Sequence, residues 1–243
     1  MKTIINYKKL NNLINNELQA SMLSLHSLFN RARTYYVILG SLFVLGCSSD
    51  TVNEVDEEVF ATSEGTIAEL RKFYNDGFVD TMISLGFKVN EGKTPPNLGG
   101  SFLITPFVLN ASNIDGDQDN IGEGSGDYQA TFSNQNNDML SIDFLGNSNS
   151  GQQLDEGNGS FVIGSNGSFG VFAKTTTKLG SSTAVTAVAI SGTLTATGIE
   201  NVQFFGAMLD DNGDPQKIFI ENNSGRMYID GDGLAEKVSS QTN

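Results

Sequence analysis

Apolar and polar residues alternate through most of the chain after Pro95, and this alternation limits the fold more than any other feature. Tyr128, Ala130 and Phe132 share one face, because successive side chains of a β-strand point to opposite sides. Turn-forming pairs such as Asn166-Gly167 separate the alternating runs. The pattern predicts short strands at 102–109, 128–133, 140–145, 160–163, 168–174, 184–196, 202–209, 217–220 and 226–230.

This series of short strands predicts an all-β fold. We expect an antiparallel barrel of about eight or nine strands, because strands in up-and-down order close readily into a ring; a β-sandwich is the alternative. Pro106 lacks a backbone N–H, so the strand at 102–109 is expected to lie at an edge or to contain a bulge. The barrel domain is assigned to residues 95–243.

One amphipathic helix is predicted before the barrel, within residues 64–94. Thr66 and Glu69 have the spacing of a capping box, which satisfies free backbone N–H groups at a helix start. Apolar residues then recur at three- and four-residue intervals as far as Leu85. Gly77 is expected to kink this helix or to divide it in two.

An apolar run at 35–45 follows Arg31 and Arg33 and ends just before Cys47, the only cysteine. The run is too short to cross a bilayer as a helix, which needs about 20 residues. A basic flank and a short apolar segment are typical of a secretory signal. Met22 provides a second candidate start, which would make residues 1–21 no part of the signal.

The four residues that end the apolar run, Val44, Leu45, Gly46 and Cys47, resemble the lipobox of bacterial lipoproteins. The resemblance implies that residues 1–46 are a signal peptide and that Cys47 is acylated. Several acyl chains on one residue would anchor the protein stably in the outer membrane, either facing the periplasm or exposed on the cell surface. The alternative is a buried cysteine that follows a hydrophobic strand.

Acidic residues dominate the chain from Cys47 onward, with 27 acidic against nine basic residues. Such a surface repels phosphate backbones, so nucleic-acid binding is not expected. Attachment to a membrane would depend on the acyl chains rather than on a basic patch. Residues 47–63 are predicted to be an acidic, disordered tether, serving either as a plain linker or as a surface-export signal.

The segment from Pro95 to Phe102 resembles the entry to the first strand of lipocalin-like barrels, with Phe102 in place of their tryptophan. The resemblance implies a basic residue packed over this aromatic ring, and Arg226 is the candidate. The chain from Pro95 to Leu234 also resembles uncharacterised Bacteroidetes lipoproteins, through the segments 95–96, 131–135 and 210–215. This second resemblance implies no particular activity.

Catalysis is not expected. The only histidine, His26, precedes Cys47, so a chain cleaved there keeps no histidine and no free thiol. Nucleophilic Ser-His-Asp and Cys-His arrangements and histidine zinc sites therefore have no residues to build them. We predict that the protein is not an enzyme.

Alternating acids recur in three runs, at 115–123, 210–214 and 230–232, and the best candidate for a metal site is made by Asp115, Asp117, Asp119 and Glu123. Oxygen-bearing side chains at alternate positions near glycine suit Ca²⁺, which takes six to eight oxygen ligands. An acidic hairpin turn is the simpler interpretation, since Asp and Asn favour turns without a metal.

Four apolar strand residues are candidates for the wall of a ligand cavity: Phe161, Phe169, Phe204 and Met208. The alternative is a filled core, which is common in small barrels. Two functions follow. The first is a lipid-anchored, monomeric envelope protein that carries a small apolar ligand. The second is an accessory surface lipoprotein that binds another envelope protein or a glycan through its loops, with or without Ca²⁺.

Overall fold

The computed structural model describes residues 63–148 and 151–239. The predicted signal peptide, the lipobox with Cys47 and nearly all of the tether lie outside these described residues. Within the described ranges, no helix has the length and apolar character needed to cross a membrane.

Two helices precede the sheet, α1 (Ile67–Phe73) and α2 (Asp76–Ser84), so the predicted helix is divided in two, which is one of the outcomes expected from Gly77. The expected capping contact is present, since the backbone N–H of Thr66 donates to Glu69 Oε2 at 2.8 Å. The helical conformation is interrupted before Asn75. The Asn75 side chain accepts a hydrogen bond from the Phe78 N–H at 2.8 Å. This cap starts a new helix, so the division falls just before Gly77.

Ten strands follow in the described residues, and all their pairings are antiparallel. Eight of them close a ring in the order β1, β3, β4, β5, β6, β7, β8, β10 and back to β1. The all-β barrel prediction is confirmed. The strands are β1 (Gly100–Ile104), β2 (Phe107–Ser112), β3 (Tyr128–Asn136), β4 (Ser141–Ser148), β5 (Gln153–Ser165), β6 (Ser168–Leu179), β7 (Ser182–Leu194), β8 (Gly198–Asp210), β9 (Gly225–Asp230) and β10 (Leu234–Val238).

The two remaining strands, β2 and β9, extend the wall of the barrel. The first part of β8 pairs with β10, and its later part, from Gln203, pairs with β9. The strand β9 pairs in turn with β2, whose other edge bonds to the segment that leads into β3. There, the Leu109 N–H donates to the Glu123 carbonyl oxygen at 3.0 Å.

Two of the predicted strands differ from the structure, and one observed strand was not predicted. The strand predicted at 102–109 is divided into β1 and β2 at Pro106, which cannot donate to a ladder. The strand predicted at 217–220 is a loop, where the Phe219 N–H donates to Asp214 Oδ2 at 2.6 Å instead of to another strand. The strand β10 was not predicted, because only Ala235 in it is buried and the alternation is too weak to detect.

Two apolar cores lie on opposite sides of the barrel wall. Inward-facing side chains such as Phe132, Phe169 and Ile190 pack together inside the ring. Outward-facing side chains of β5 to β9, such as Phe172 and Phe205, are covered by the helices. The helices therefore shield the outside of the wall and leave the interior to the strands.

The basic residue over Phe102 is Lys237, not Arg226 as the lipocalin resemblance implied. The Lys237 ammonium lies 5.9 Å from the centre of the Phe102 ring, on the neighbouring strand β10. Arg226 instead binds a carboxylate elsewhere on the barrel.

Candidate functional site: a polar-walled cavity in the barrel

A cavity of about 300 Å³ occupies one end of the barrel interior. It is bordered by Ser148, Gln153 and Leu179, at the ends of β4, β5 and β6, and by Met208 near the end of β8. The volume lies at the lower limit of ligand pockets, which span about 300 to 1,000 Å³.

The inward face of β6 changes from apolar to polar as it approaches the cavity. Its first inward residues belong to the packed core: Phe169, Val171 and Ala173. Thr175 and Thr177 continue the same two-residue spacing. Thr175 is paired with Thr186 on β7, and Thr177 with Asp155 on β5. The strand register therefore places hydroxyl groups and one carboxyl group on the same wall.

The carboxyl group of Asp155 is buried in this wall, and the residue is only 1% exposed. Its Oδ2 accepts from the Tyr128 hydroxyl at 2.8 Å, and its Oδ1 accepts from the Thr177 hydroxyl at 2.6 Å. The Gln153 amide donates to both oxygens at longer distances, 3.3 and 3.1 Å. Among the described residues, no lysine or arginine forms an ion pair with Asp155.

Three threonine hydroxyls form a chain that ends on this carboxylate. Oγ1 of Thr186 lies 2.6 Å from that of Thr175 and 2.7 Å from that of Thr177. An ionised carboxylate only accepts, so Thr177 donates to Asp155, Thr186 donates to Thr177 and Thr175 donates to Thr186. Each hydroxyl then has an acceptor, and no buried side-chain polar atom of the described residues lacks a partner.

Tyr128 reaches Asp155 across an intervening strand because Gly146 leaves room. Tyr128 is on β3 and Asp155 on β5, while Gly146 lies on β4 directly opposite Asp155. A methyl group at position 146 would overlap the Tyr128 hydroxyl and ring. The absence of a side chain there is what permits the hydrogen bond between the tyrosine and the carboxylate.

Burial shifts the ionisation of both partners. It raises the pKa of Asp155, against the opposing effect of the hydrogen bonds from Thr177, Tyr128 and Gln153. Burial also raises the pKa of Tyr128 well above its usual value, and the Asp155 charge adds to this effect. Tyr128 is therefore protonated at neutral pH and acts as a donor.

Aromatic rings form the side of the cavity next to this polar wall. Phe107 stacks on Tyr228 with ring centres 4.2 Å apart and on Tyr128 with centres 5.3 Å apart. The Phe204 ring lies 4.6 Å from that of Tyr128. All four residues line the cavity, so an occupant would meet aromatic surface on one side and oxygen atoms on the other.

Arg226 also lines the cavity, but its charge is already compensated. Its Nε and Nη2 donate to Asp117 at 2.6 and 3.0 Å, and the Ser112 hydroxyl donates to the same carboxylate at 2.6 Å. The guanidinium group lowers the pKa of Asp117. Of the two charged residues described at the cavity, Arg226 therefore has an oppositely charged partner and Asp155 does not.

The structure does not bring the predicted calcium ligands together. Asp117 is buried against Arg226, whereas Asp115, Asp119 and Glu123 are exposed. No group of three or more His, Cys, Asp or Glu residues in the described ranges is arranged to hold a metal ion.

The predicted cavity residues are divided between three places. Phe204 and Met208 line the cavity, and Phe169 belongs to the packed part of the interior. Phe161 lies outside the barrel, against the helices. Its placement in the interior was wrong because Phe161, Val162 and Ile163 are all buried, so the apolar pattern of this stretch does not distinguish the inner face from the outer face.

The loop between β8 and β9 forms part of the cavity boundary. Ile218, Phe219 and Ile220, which the sequence predicted as a strand, line the cavity from this loop. The Asp214 carboxylate holds the Phe219 N–H at 2.6 Å, and the Asn212 amide donates to the Thr183 carbonyl oxygen at 2.9 Å.

Asp155 and its donors were not among the predicted site residues. The available signal was Thr175 and Thr177, which continue the alternation of β6 with polar side chains in inward positions. Comparisons of the chain with protein-family models, curated proteins and solved structures gave no match.

Proposed function

We propose that this protein is a lipid-anchored cell-envelope protein that binds a small amphipathic ligand in the barrel-end cavity and catalyses no reaction. The cavity of about 300 Å³ carries this proposal. A filled barrel would leave no such space, and the aromatic and polar sides of this one suit a ligand with both characters.

The position of the polar groups also supports binding rather than chemistry. Both oxygens of Asp155 are occupied by donors, and its partners Tyr128, Thr177 and Gln153 act as donors. Such an arrangement holds a fixed charge in place. The lipobox around Cys47 supports an envelope location, since it would fix the mature chain to a membrane by acyl groups.

A pair of leucine-to-tryptophan variants tests the binding proposal. Leu179 lines the cavity, whereas Leu145 lies on the outside of the barrel and is 41% exposed. Binding of the neutral probe 2-phenylethanol is measured by ligand-observed NMR. We expect the probe to bind the unaltered chain and Leu145→Trp.

Leu179→Trp is expected to lose this binding, because the larger ring fills the cavity. Equal binding to the two variants, or no binding to the unaltered chain, would contradict a ligand site inside the barrel. Native mass spectrometry of the purified chain checks in parallel for a small molecule retained from the cell.

A further inference from the structure

We infer that the cavity selects organic cations, namely primary amines that carry a compact apolar or aromatic body. This inference rests on the proposed ligand-binding function and specifies the class of ligand. It follows from three features: an uncompensated carboxylate in the wall, aromatic rings beside it, and the neutralisation of Arg226, which also borders the cavity.

Among the described residues that line the cavity, two are charged, Asp155 and Arg226. Arg226 is paired with Asp117, so its charge is compensated at short range. The remaining charge inside the cavity is that of Asp155. A cation entering the cavity would pair with it in surroundings of low dielectric constant, where such pairs are stronger than in water.

Two of the four contacts to the Asp155 carboxylate are long, and a stronger donor could replace them. A carboxylate offers about four lone-pair positions. Tyr128 and Thr177 fill two of them with hydrogen bonds of 2.8 and 2.6 Å, whereas the Gln153 amide makes the two longer contacts. Gln153 is only partly buried, at the start of β5. An ammonium group would take the position of this amide and form the stronger, charge-assisted bond.

Aromatic rings beside Asp155 would contact the body of the ligand. Tyr128 donates to Asp155 and also belongs to the aromatic side formed with Phe107, Phe204 and Tyr228. A ligand whose ammonium group reaches Asp155 therefore has aromatic surface within reach of both its charge and its apolar part. Aromatic rings attract cations as well as apolar groups.

Size limits the ligand further. A volume of about 300 Å³ corresponds to about ten water molecules in the liquid. A ligand held wholly within this volume would be a compact molecule with one aromatic or branched aliphatic group. An anionic ligand of the same shape would meet the Asp155 carboxylate and be repelled.

Three probes that share a phenylethyl body test the inference on the full chain: 2-phenylethylamine, 2-phenylethanol and 3-phenylpropionate. Their affinities are measured by isothermal titration at neutral pH. The amine is expected to bind about tenfold or more tightly than the alcohol, which is the scale of one charge-assisted hydrogen bond. The carboxylate is expected to bind more weakly than the alcohol.

Variants separate the cavity charge from the acidity of the whole surface. Asp155→Asn is expected to remove the preference for the amine while alcohol binding persists. The control, Asp138→Asn, removes one exposed carboxylate outside the cavity and is expected to retain the full preference. The probe comparison on the unaltered chain remains decisive if Asp155→Asn does not fold.

The outcomes distinguish the two proposals. If the amine and the alcohol bind with equal affinity, the selectivity inference is wrong and the ligand-binding function stands. If no probe binds, both are wrong. An amine preference that survives in folded Asp155→Asn would also overturn the inference, because the cation would then be recognised elsewhere.

Discussion

The guanidinium group of Arg226 on β9 binds the carboxylate of Asp117 through two hydrogen bonds, of 2.6 Å from Nε and 3.0 Å from Nη2. Asp117 begins a short 3₁₀ helix (Asp117–Asn120) that follows β2. This pair therefore fixes a loop to the edge of the cavity and removes one positive charge from it.

Replacement of Asp117 by Asn is expected to lower the free energy of unfolding by about 1 to 2 kcal/mol at pH 7, because the hydrogen bonds lose their charged acceptor. Arg226 lowers the pKa of Asp117 below its ordinary value of 3.8. The folded state then binds fewer protons than the unfolded state. The stabilisation is present above pH 3.8 and is lost as the pH falls through the lowered folded-state value.

Urea unfolding at pH 7 and near pH 2.5 measures this difference between Asp117→Asn and the unaltered chain. The matched control is Asp119→Asn, which changes an exposed carboxylate on the same short helix. A difference that stays constant between the two pH values would show that the charge pair is not its source.

Replacement of Gly146 by Ala is expected to disrupt the polar wall. The added methyl group would overlap Tyr128, so the tyrosine must leave Asp155 or the strands must separate. We expect a loss of about 2 to 4 kcal/mol in the free energy of unfolding, through overpacking and a lost hydrogen bond to a charged group. Gly124→Ala is the control, because a methyl group there meets only Pro106 at 3.7 Å. Equal effects of the two variants in urea unfolding would argue against the close approach at Gly146.

Replacement of Tyr74 by Phe is expected to weaken the attachment of the helices. The buried Tyr74 hydroxyl lies 2.9 Å from the carbonyl oxygens of Ala173 and Val188, on adjacent strands of the barrel. Loss of this bond is expected to cost about 1 kcal/mol in the free energy of unfolding.

Hydrogen exchange provides the local measurement, with faster exchange expected for α1 and α2 in Tyr74→Phe. Thr81→Val removes a hydroxyl that bonds only within α2, to the Gly77 carbonyl oxygen, and should leave helix docking unchanged. Identical exchange rates in Tyr74→Phe and the unaltered chain would contradict a role for this hydroxyl in docking.

Binding of 2-phenylethylamine is expected to depend on pH through Asp155. Burial raises the pKa of this carboxyl, so the acceptor becomes protonated at a higher pH than an exposed aspartate would. Amine affinity should fall by about tenfold per pH unit once the pH is below that raised pKa.

The groups that bond Asp155 are Tyr128, Thr177 and Gln153, and the other charged group at the cavity, Arg226, is held by Asp117. Affinity for 2-phenylethanol is expected to stay level, and a parallel decline for both probes would point to unfolding instead.

Local patterns predicted the features that depend on neighbouring residues. The spacing of Thr66 and Glu69 located the helix start, and the alternation of Tyr128, Ala130 and Phe132 gave a strand with these residues on one buried face. The extent of the longer strands was underestimated, because their polar ends are held by cross-strand partners that have no local signature.

Long-range register determined what the sequence alone could not provide. Asp155 meets Thr177 because β5 and β6 pair in one particular register, and it meets Tyr128 because Gly146 stands between them. Phe161, expected on the inner face, lies on the outer face, because both faces of this part of β5 are buried and apolar. Strand alternation separates the two faces of a strand, but the pairing of the whole strand decides which face lies inside.

The most direct test of the proposed amine site is a crystal structure of the full chain with 2-phenylethylamine. We expect the probe inside the barrel, with its nitrogen about 3 Å from a carboxylate oxygen of Asp155 and its ring against Phe107, Phe204 or Tyr228. An empty cavity at a probe concentration that saturates binding in solution, or a probe bound only outside the barrel, would contradict it.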